Sequence, residues 1–251
     1  KVVGEFFEAL YRDDFQMYLQ PKFLLGKEII YGAEALARWK KQDGTIVPPA
    51  YFIDSLEKIG YITELDFYIF EEVLKTLDKW NRQRRRKIIV STNFSGRHFE
   101  GNGEEFLNRI AYIMSKYTVL PSNIEIEVTE GILVKNVEVL KNCMNRLHEM
   151  GFRIAIDDFG TGYSSLSMLA DMPADVIKID KSFINVGMTD QKLKLLCEIG
   201  RMVKILGKDI IIEGVETKAQ EQFLIDGGFE CGQGFLCNRP VSLGEFERLY
   251  L

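Results

Sequence analysis

Rhythm, more than any single residue, limits what this chain can fold into. Short apolar runs rich in β-branched residues alternate with longer amphipathic stretches along the 251 residues. The runs fall at residues 15–20, 29–39, 88–94, 124–129, 152–157, 176–179, 210–213 and 232–236. Runs this short and this aliphatic suit strands covered on both faces. Between them, apolar residues recur at helical spacing over 49–59, 64–83, 103–116, 137–150, 191–206, 219–225 and 243–251. Strand and helix in alternation read as βα units, and eight such strands predict an α/β protein of the closed (β/α)8 TIM-like barrel type. An open doubly wound sheet would share the rhythm, but the glycine-rich fingerprint that favours it after the first strand is missing. One irregularity is visible. The connection after Gln20 is too short for a helix, and a helix-free link cannot make a parallel crossover. The first two strands are therefore expected to be antiparallel.

No Pro- or Gly-rich linker interrupts residues 1–251, so they read as one domain. Val2, Val3, Phe6, Phe7 and Leu10 among Glu5, Glu8 and Arg12 form an amphipathic helix rather than a signal peptide. With no initiator Met, we expect a fragment of a longer multidomain protein. No apolar segment approaches the roughly 18 residues of a membrane span. Cys143, Cys197, Cys231 and Cys237 lack CxxC or zinc spacing and read as reduced thiols of a cytoplasmic domain. Any membrane anchor of the full-length protein would lie outside this segment. Two histidines, His98 and His148, argue against a histidine-rich metal site or a Ser-His-Asp triad. A formal charge of -5 argues against a general nucleic-acid surface. The basic run from Arg82 to Lys87 reads as a solvated turn or a partner contact.

In a barrel, the C-terminal ends of the strands converge on one mouth, where chemistry belongs. The polar residues near the strand ends are Gln20, Glu34 with Arg38, Asn93, Glu127, Asp157-Asp158, Lys178, Glu213 and Gln233. Strand residues alternate faces, so Glu125 and Glu127 share one face and point inward while the aliphatics around them pack on helices. Unpartnered buried carboxylates are costly. A mouth that gathers Glu34, Glu127, Asp157, Asp158 and Glu213 calls for hard cations, Mg²⁺ or Mn²⁺, with Asn93 adding a neutral oxygen. Five carboxylates exceed the needs of one small ion, so two ions are expected, an arrangement suited to phosphate ester hydrolysis. Lys178 would position the attacking water or neutralise charge on the phosphate. Gly160 and Gly162 allow the backbone after the paired aspartates to turn sharply.

Ordered motifs across nearly the whole chain extend this reading. They are Gln20-Pro21, AEALARW at 33–39, STNFS at 91–95, EVTE at 127–130, DDFGTGYSSL at 157–166, IKIDKSF at 177–183, EGVET at 213–217 and QGF at 233–235. In this set and order the chain resembles the EAL-domain cyclic di-GMP phosphodiesterases. The resemblance implies that Glu34, Asn93, Glu127, Asp157, Asp158 and Glu213 are the metal ligands, with Glu34, Lys178 and Glu213 the catalytic residues. It gives Gln20, Leu36, Arg38 and Gln233 the dinucleotide, and Glu130 the support of the loop at 159–165. Arg38 suits this role because a guanidinium can fork onto phosphate oxygens. Asp180 and Glu216 would act from behind the ligands or as ion-pair partners. The expected activity is metal-dependent hydrolysis of cyclic di-GMP to linear pGpG in bacterial second-messenger signalling. A receptor that holds the nucleotide without cleaving it is the rival. A homodimer through the loop after Asp158 is implied, and an upstream sensor or GGDEF domain would fit. Ile212 and Cys237-Asn238 depart from the family's usual residues without removing a metal oxygen.

Overall fold

The computed structural model describes residues 2–134, 137–162, 166–185 and 189–251. Ten strands are present among them: β1 (Phe15–Leu24), β2 (Ile30–Lys40), β3 (Ile46–Val47), β4 (Ile89–Asn93), β5 (Ile124–Thr129), β6 (Arg153–Phe159), β7 (Val176–Ile179), β8 (Asp209–Ile212), β9 (Cys231–Gln233) and β10 (Val241–Ser242). The helices are α1 (Val2–Tyr11), α2 (Ile53–Ile59), α3 (Ile62–Arg82), α4 (Glu104–Met114), α5 (Val137–Glu149), α6 (Leu166–Asp171), α7 (Ser182–Asn185), α8 (Asp190–Ile205), α9 (Lys218–Asp226) and α10 (Leu243–Tyr250). Eight of the strands close a barrel in the order β1-β2-β4-β5-β6-β7-β8-β9, with β9 returning to β1. The TIM-like barrel is thus the fold observed.

Seven barrel strands run parallel, and β1 runs against both of its neighbours. The short link between β1 and β2 imposes this reversal, as expected. The first strand is longer than its sequence suggests. Pro21 has no N–H to give a ladder and reads as a stop. Yet the pairing with β2 continues through Pro21↔Ala33 and shifts only between Lys22 and Phe23. The last barrel strand is shorter than expected. After Gln233 the chain leaves the sheet and packs on the β8–α9 loop, where the Leu236 amide donates to the Val215 carbonyl at 2.9 Å. Short β10 then pairs with β1 at Tyr18↔Ser242 and Leu19↔Val241.

Most of the core lies between barrel and helices, from Phe6, Phe15 and Phe52 through Ile126, Ile154 and Ile177 to Phe246. A second, small cluster of Ala155, Val176 and Ile211 is packed by Tyr31 and Cys231 toward the N-terminal ends of the parallel strands. All four cysteines are free. Among the described residues no helix is long and apolar enough to cross a membrane.

Candidate active site

The register of β1 against β2 sets the depth of each polar side chain. Lys22 lies opposite Gly32, Gln20 opposite Glu34, Tyr18 opposite Leu36, and Gln16 opposite Arg38. Because β1 is reversed, Gln20 reaches the site from the middle of its strand and not from a C-terminal end. Glu34 is likewise mid-strand, since β2 continues to Lys40. Glu34, Leu36 and Arg38 share one face at two-residue spacing, so they climb from the interior toward the rim.

Four carboxylates converge on one ammonium group. Lys178 Nζ lies 3.2 Å from Glu34 Oε2, 2.8 Å from Glu127 Oε2, 3.0 Å from Asp157 Oδ2 and 2.9 Å from Glu213 Oε1. Glu34 Oε1 accepts from Asn93 Nδ2 at 2.7 Å, and its Oε2 accepts from Gln233 Nε2 at 2.6 Å. Gln233 Nε2 also reaches Gln20 Oε1 at 3.2 Å. Glu34, Gln20, Gln233 and Asn93, from four strands, therefore form one hydrogen-bonded group. Gln233 Oε1 is buried without a hydrogen-bond partner among the described residues.

Alternation along a strand would send Asp157 and Asp158 to opposite faces. The backbone prevents this. The β6–β7 register shifts between Ile156 and Phe159, and Asp158 sits at φ 56°, in the left-handed region. Such a break re-aims a side chain. Carboxylate oxygens of Asp157, Asp158 and Glu213 accordingly lie within 4.8 Å of one another, as do those of Glu34, Glu127 and Asp157. Asp157 belongs to both groups.

Behind this turn, Glu130 Oε2 accepts the amides of Gly160 and Gly162, each at 2.9 Å. Gly160 has φ 98°, and a Cβ there would come within 2.2 Å of the Phe183 ring. The expected loop at 159–165 is described only to Gly162; Tyr163, Ser164 and Ser165 lie outside the described residues.

Burial sets the electrostatics. Lys178 has no exposed surface, and burial alone would lower its pKa, but Asp157, Glu127, Glu34 and Glu213 hold it well above the ordinary lysine value. Glu127 is equally buried and would be raised by burial, yet Lys178 and Lys22 bring it down to about 2. Asp157, Asp158 and Glu213 are raised, chiefly by burial. Five carboxylates (Glu34, Glu127, Asp157, Asp158 and Glu213) gather around Lys178, while Lys22 is divided between Glu127 and Glu125, so positive charge is in deficit. The donor set is hard oxygen, its net charge is negative, and its oxygens fall into two overlapping groups of three. These properties fit one or two divalent cations of the Mg²⁺ class.

Two cavities reach the side chains that hold Glu34. On the Asn93 side, a space of about 260 Å³ is lined by Leu36, Pro49, Ile53, Ile69 and Phe94 and is mostly apolar. On the Gln233 side, a space of about 280 Å³ is lined by Gln20, Asp158, Asp180, Glu213, Glu216 and Phe235. Arg38 does not touch the acids; it donates to the Ala37 carbonyl at 2.8 Å and lies over the Tyr18 ring. Asp180 accepts from the Ser182 amide at 2.8 Å.

The sequence reading missed Lys22. It is 1% exposed and lies 2.7 Å from both Glu125 Oε1 and Glu127 Oε1. Inward alternation through Tyr18, Gln20 and Lys22 would have revealed it, had the strand not been ended at Pro21.

Comparison with known proteins adds an independent line. The profile of the EAL domain matches residues 4–240. The chain is 37% identical over 245 residues to the signaling protein YkoW of Bacillus subtilis, covering 97% of this chain and 30% of that protein. It is 31% identical over 244 residues to the cyclic di-GMP phosphodiesterase PdeR of Escherichia coli, covering 97% of this chain and 36% of that one. Among solved structures, the PaMucR phosphodiesterase in its c-di-GMP complex superposes with a TM-score of 0.90 at 30% identity, over 98% of this chain and 99% of that one. The chain spans about a third of the length of these curated relatives.

Proposed function

The chain belongs to the EAL-domain family, and from that premise we propose that it is a metal-dependent phosphodiesterase that opens cyclic di-GMP to linear pGpG. The observation that carries the proposal is the pair of carboxylate groups sharing Asp157, with one cavity reaching Asn93 and another lined by Asp158, Glu213 and Gln233. A ligand of two nucleoside halves joined by phosphates would match a carboxylate centre that holds divalent cations, with a recess reaching each side of it. Its apolar base faces suit the recess beside Leu36, and its hydrogen-bonding edges suit the one beside Gln20 and Gln233.

Glu34, Asn93, Glu127, Asp157, Asp158 and Glu213 would hold Mg²⁺ or Mn²⁺, two ions when fully loaded. Bound there, such ions polarise phosphoryl oxygens and make a water more acidic. The protein's own groups do the rest. Gln20, Leu36 and Gln233 would seat the nucleotide, and Gln233 Oε1, unpartnered among the described residues, offers an acceptor for a ligand N–H. Arg38 at the rim is free to fork onto a phosphate. Lys178, whose pKa the surrounding carboxylates hold up, would orient the attacking water by donating an N–H. The water oxygen forms the new bond to phosphorus and sheds one proton to solvent; the bond from phosphorus to the 3′ oxygen breaks, and that oxygen takes a proton from solvent to leave as the 3′ hydroxyl. Glu130 keeps the Gly160–Gly162 backbone, and with it Asp158, in place.

The test is incubation of the purified chain with cyclic di-GMP and Mg²⁺, followed by chromatography of the products. Linear pGpG is expected, and none in EDTA. Nucleotide binding without turnover in any divalent metal would replace this reading by that of a receptor.

A further inference from the structure

Glu127 is gripped at both oxygens. Its Oε2 faces Lys178 and the other acids, and its Oε1 is held from below by Lys22 at 2.7 Å. Lys22 in turn is tied at 2.7 Å to Glu125, whose other oxygen lies 3.5 Å from Arg153 Nε, and Arg153 reaches Asp209 at 3.0 Å. Glu125, Glu127 and Lys22 are almost wholly enclosed, so these contacts are made without competing solvent. Glu125 and Glu127 lie on the inward face of β5, two residues apart. A cation at the mouth therefore meets a Glu127 that is already fixed in direction and has one oxygen to offer.

We propose that Lys22 is a positioning residue of the metal centre: by occupying Glu127 Oε1, it fixes Glu127 as a single-oxygen ligand aimed at the mouth. The inference deepens the metal-dependent reading and rests on it. Without Lys22, the Glu127 carboxylate would be free to turn toward the space the ammonium group leaves, and the ligand set would have to be reorganised on each binding event. Groups that orient metal ligands from behind commonly change metal affinity by about 10- to 100-fold when removed. Arg153 and Asp209 extend the same row to the far end of the barrel, so Glu127 is braced against a chain of ion pairs and not against a single side chain.

The experiment measures Mn²⁺ binding by calorimetry, without nucleotide, beside turnover of cyclic di-GMP as a function of Mg²⁺. Lys22→Met alone strands two buried carboxylates and endangers the fold. The informative variant is Lys22→Met with Glu125→Gln, which removes one positive and one negative charge together, and Glu125→Gln alone is its control. The double variant is expected to weaken Mn²⁺ binding about tenfold or more. It should raise the Mg²⁺ concentration for half-activation in step, while KM for the nucleotide at saturating Mg²⁺ stays within about twofold. Glu125→Gln alone should bind Mn²⁺ within about twofold of the unchanged chain. Equal weakening in the control, or an undiminished affinity in the double variant, overturns the role of Lys22 and leaves the metal reading standing. A double variant that does not fold while the control does makes Lys22 structural and also overturns it. An unchanged chain that binds no Mn²⁺ removes the metal reading itself.

Discussion

The two ends of this barrel use the same kinds of side chain to opposite effect. At the mouth, one lysine, Lys178, touches four carboxylates, and three of the acids there have pKa values raised by burial. At the other end, charges are answered within the protein. Arg153 spans Glu125 and Asp209, and Lys208 donates to the carbonyls of Met172 at 2.7 Å and Ala174 at 3.0 Å. Ala155, Val176 and Ile211 fill the interior between them. Charge that the chain completes by itself serves stability. Charge that it leaves incomplete, inside a buried mouth, is a place for something else to bind.

The largest expected effect breaks the mouth. Glu34→Ala removes a carboxylate that holds Asn93 through one oxygen and Gln233 and Lys178 through the other. It should lower kcat by about a hundred- to a thousandfold with an unchanged circular dichroism spectrum; near-normal turnover would end the role given to Glu34. Next in size is a break at the other end. Lys208→Met leaves the carbonyls of Met172 and Ala174 without their charged donor and should cost about 2 kcal/mol in urea unfolding while the proposed turnover by the folded protein is kept. Lost activity with intact stability would mean that the two ends are not separable in this way.

The smallest effect sharpens the contrast through pH. Unfolded, Asp157 ionises near about 3.9; folded and metal-free, burial raises it well above that. Between the two values the folded state holds the extra proton, so stability in EDTA should fall as pH rises through that window. Glu127 acts in the opposite sense. Held at about 2, it contributes stability that is lost as pH falls from its ordinary 4.5 toward that value. Asp157→Asn should therefore raise the melting temperature in EDTA near neutral pH by about 2–4 °C, the shift that about 1 kcal/mol makes in a chain of this size. The same variant should lose the stabilisation that Mn²⁺ gives the unchanged chain. A melting temperature that is flat from pH 5 to 8 in EDTA would contradict the charge deficit at the mouth.

Much of this was legible in the residues. The inward alternation of Glu125 and Glu127 depends only on strand periodicity, and their contacts with Lys22 and Lys178 have that origin. The reversal of β1 followed from a link too short for a helix. What could not be read was register and local backbone. Asp157 and Asp158 converge because Asp158 takes a left-handed φ, which a pair of adjacent aspartates does not announce. Lys22 was hidden because a proline usually stops a strand, and here the hairpin with β2 carries the ladder past it. The early end of β9 depends on Leu236 finding the Val215 carbonyl, a contact between segments that no local pattern encodes.

The reversed first strand has a consequence in time. β1 and β2 are close in sequence and can pair as soon as both exist, whereas β9 must return across more than two hundred residues to complete the ring. Gln233 meets Gln20 and Glu34 only at that late joining. During synthesis the ribosome would thus release this hairpin well before the glutamine proposed to hold the nucleotide, so a nascent chain halted just before β9 would carry the five acids of the mouth and still lack a finished pocket.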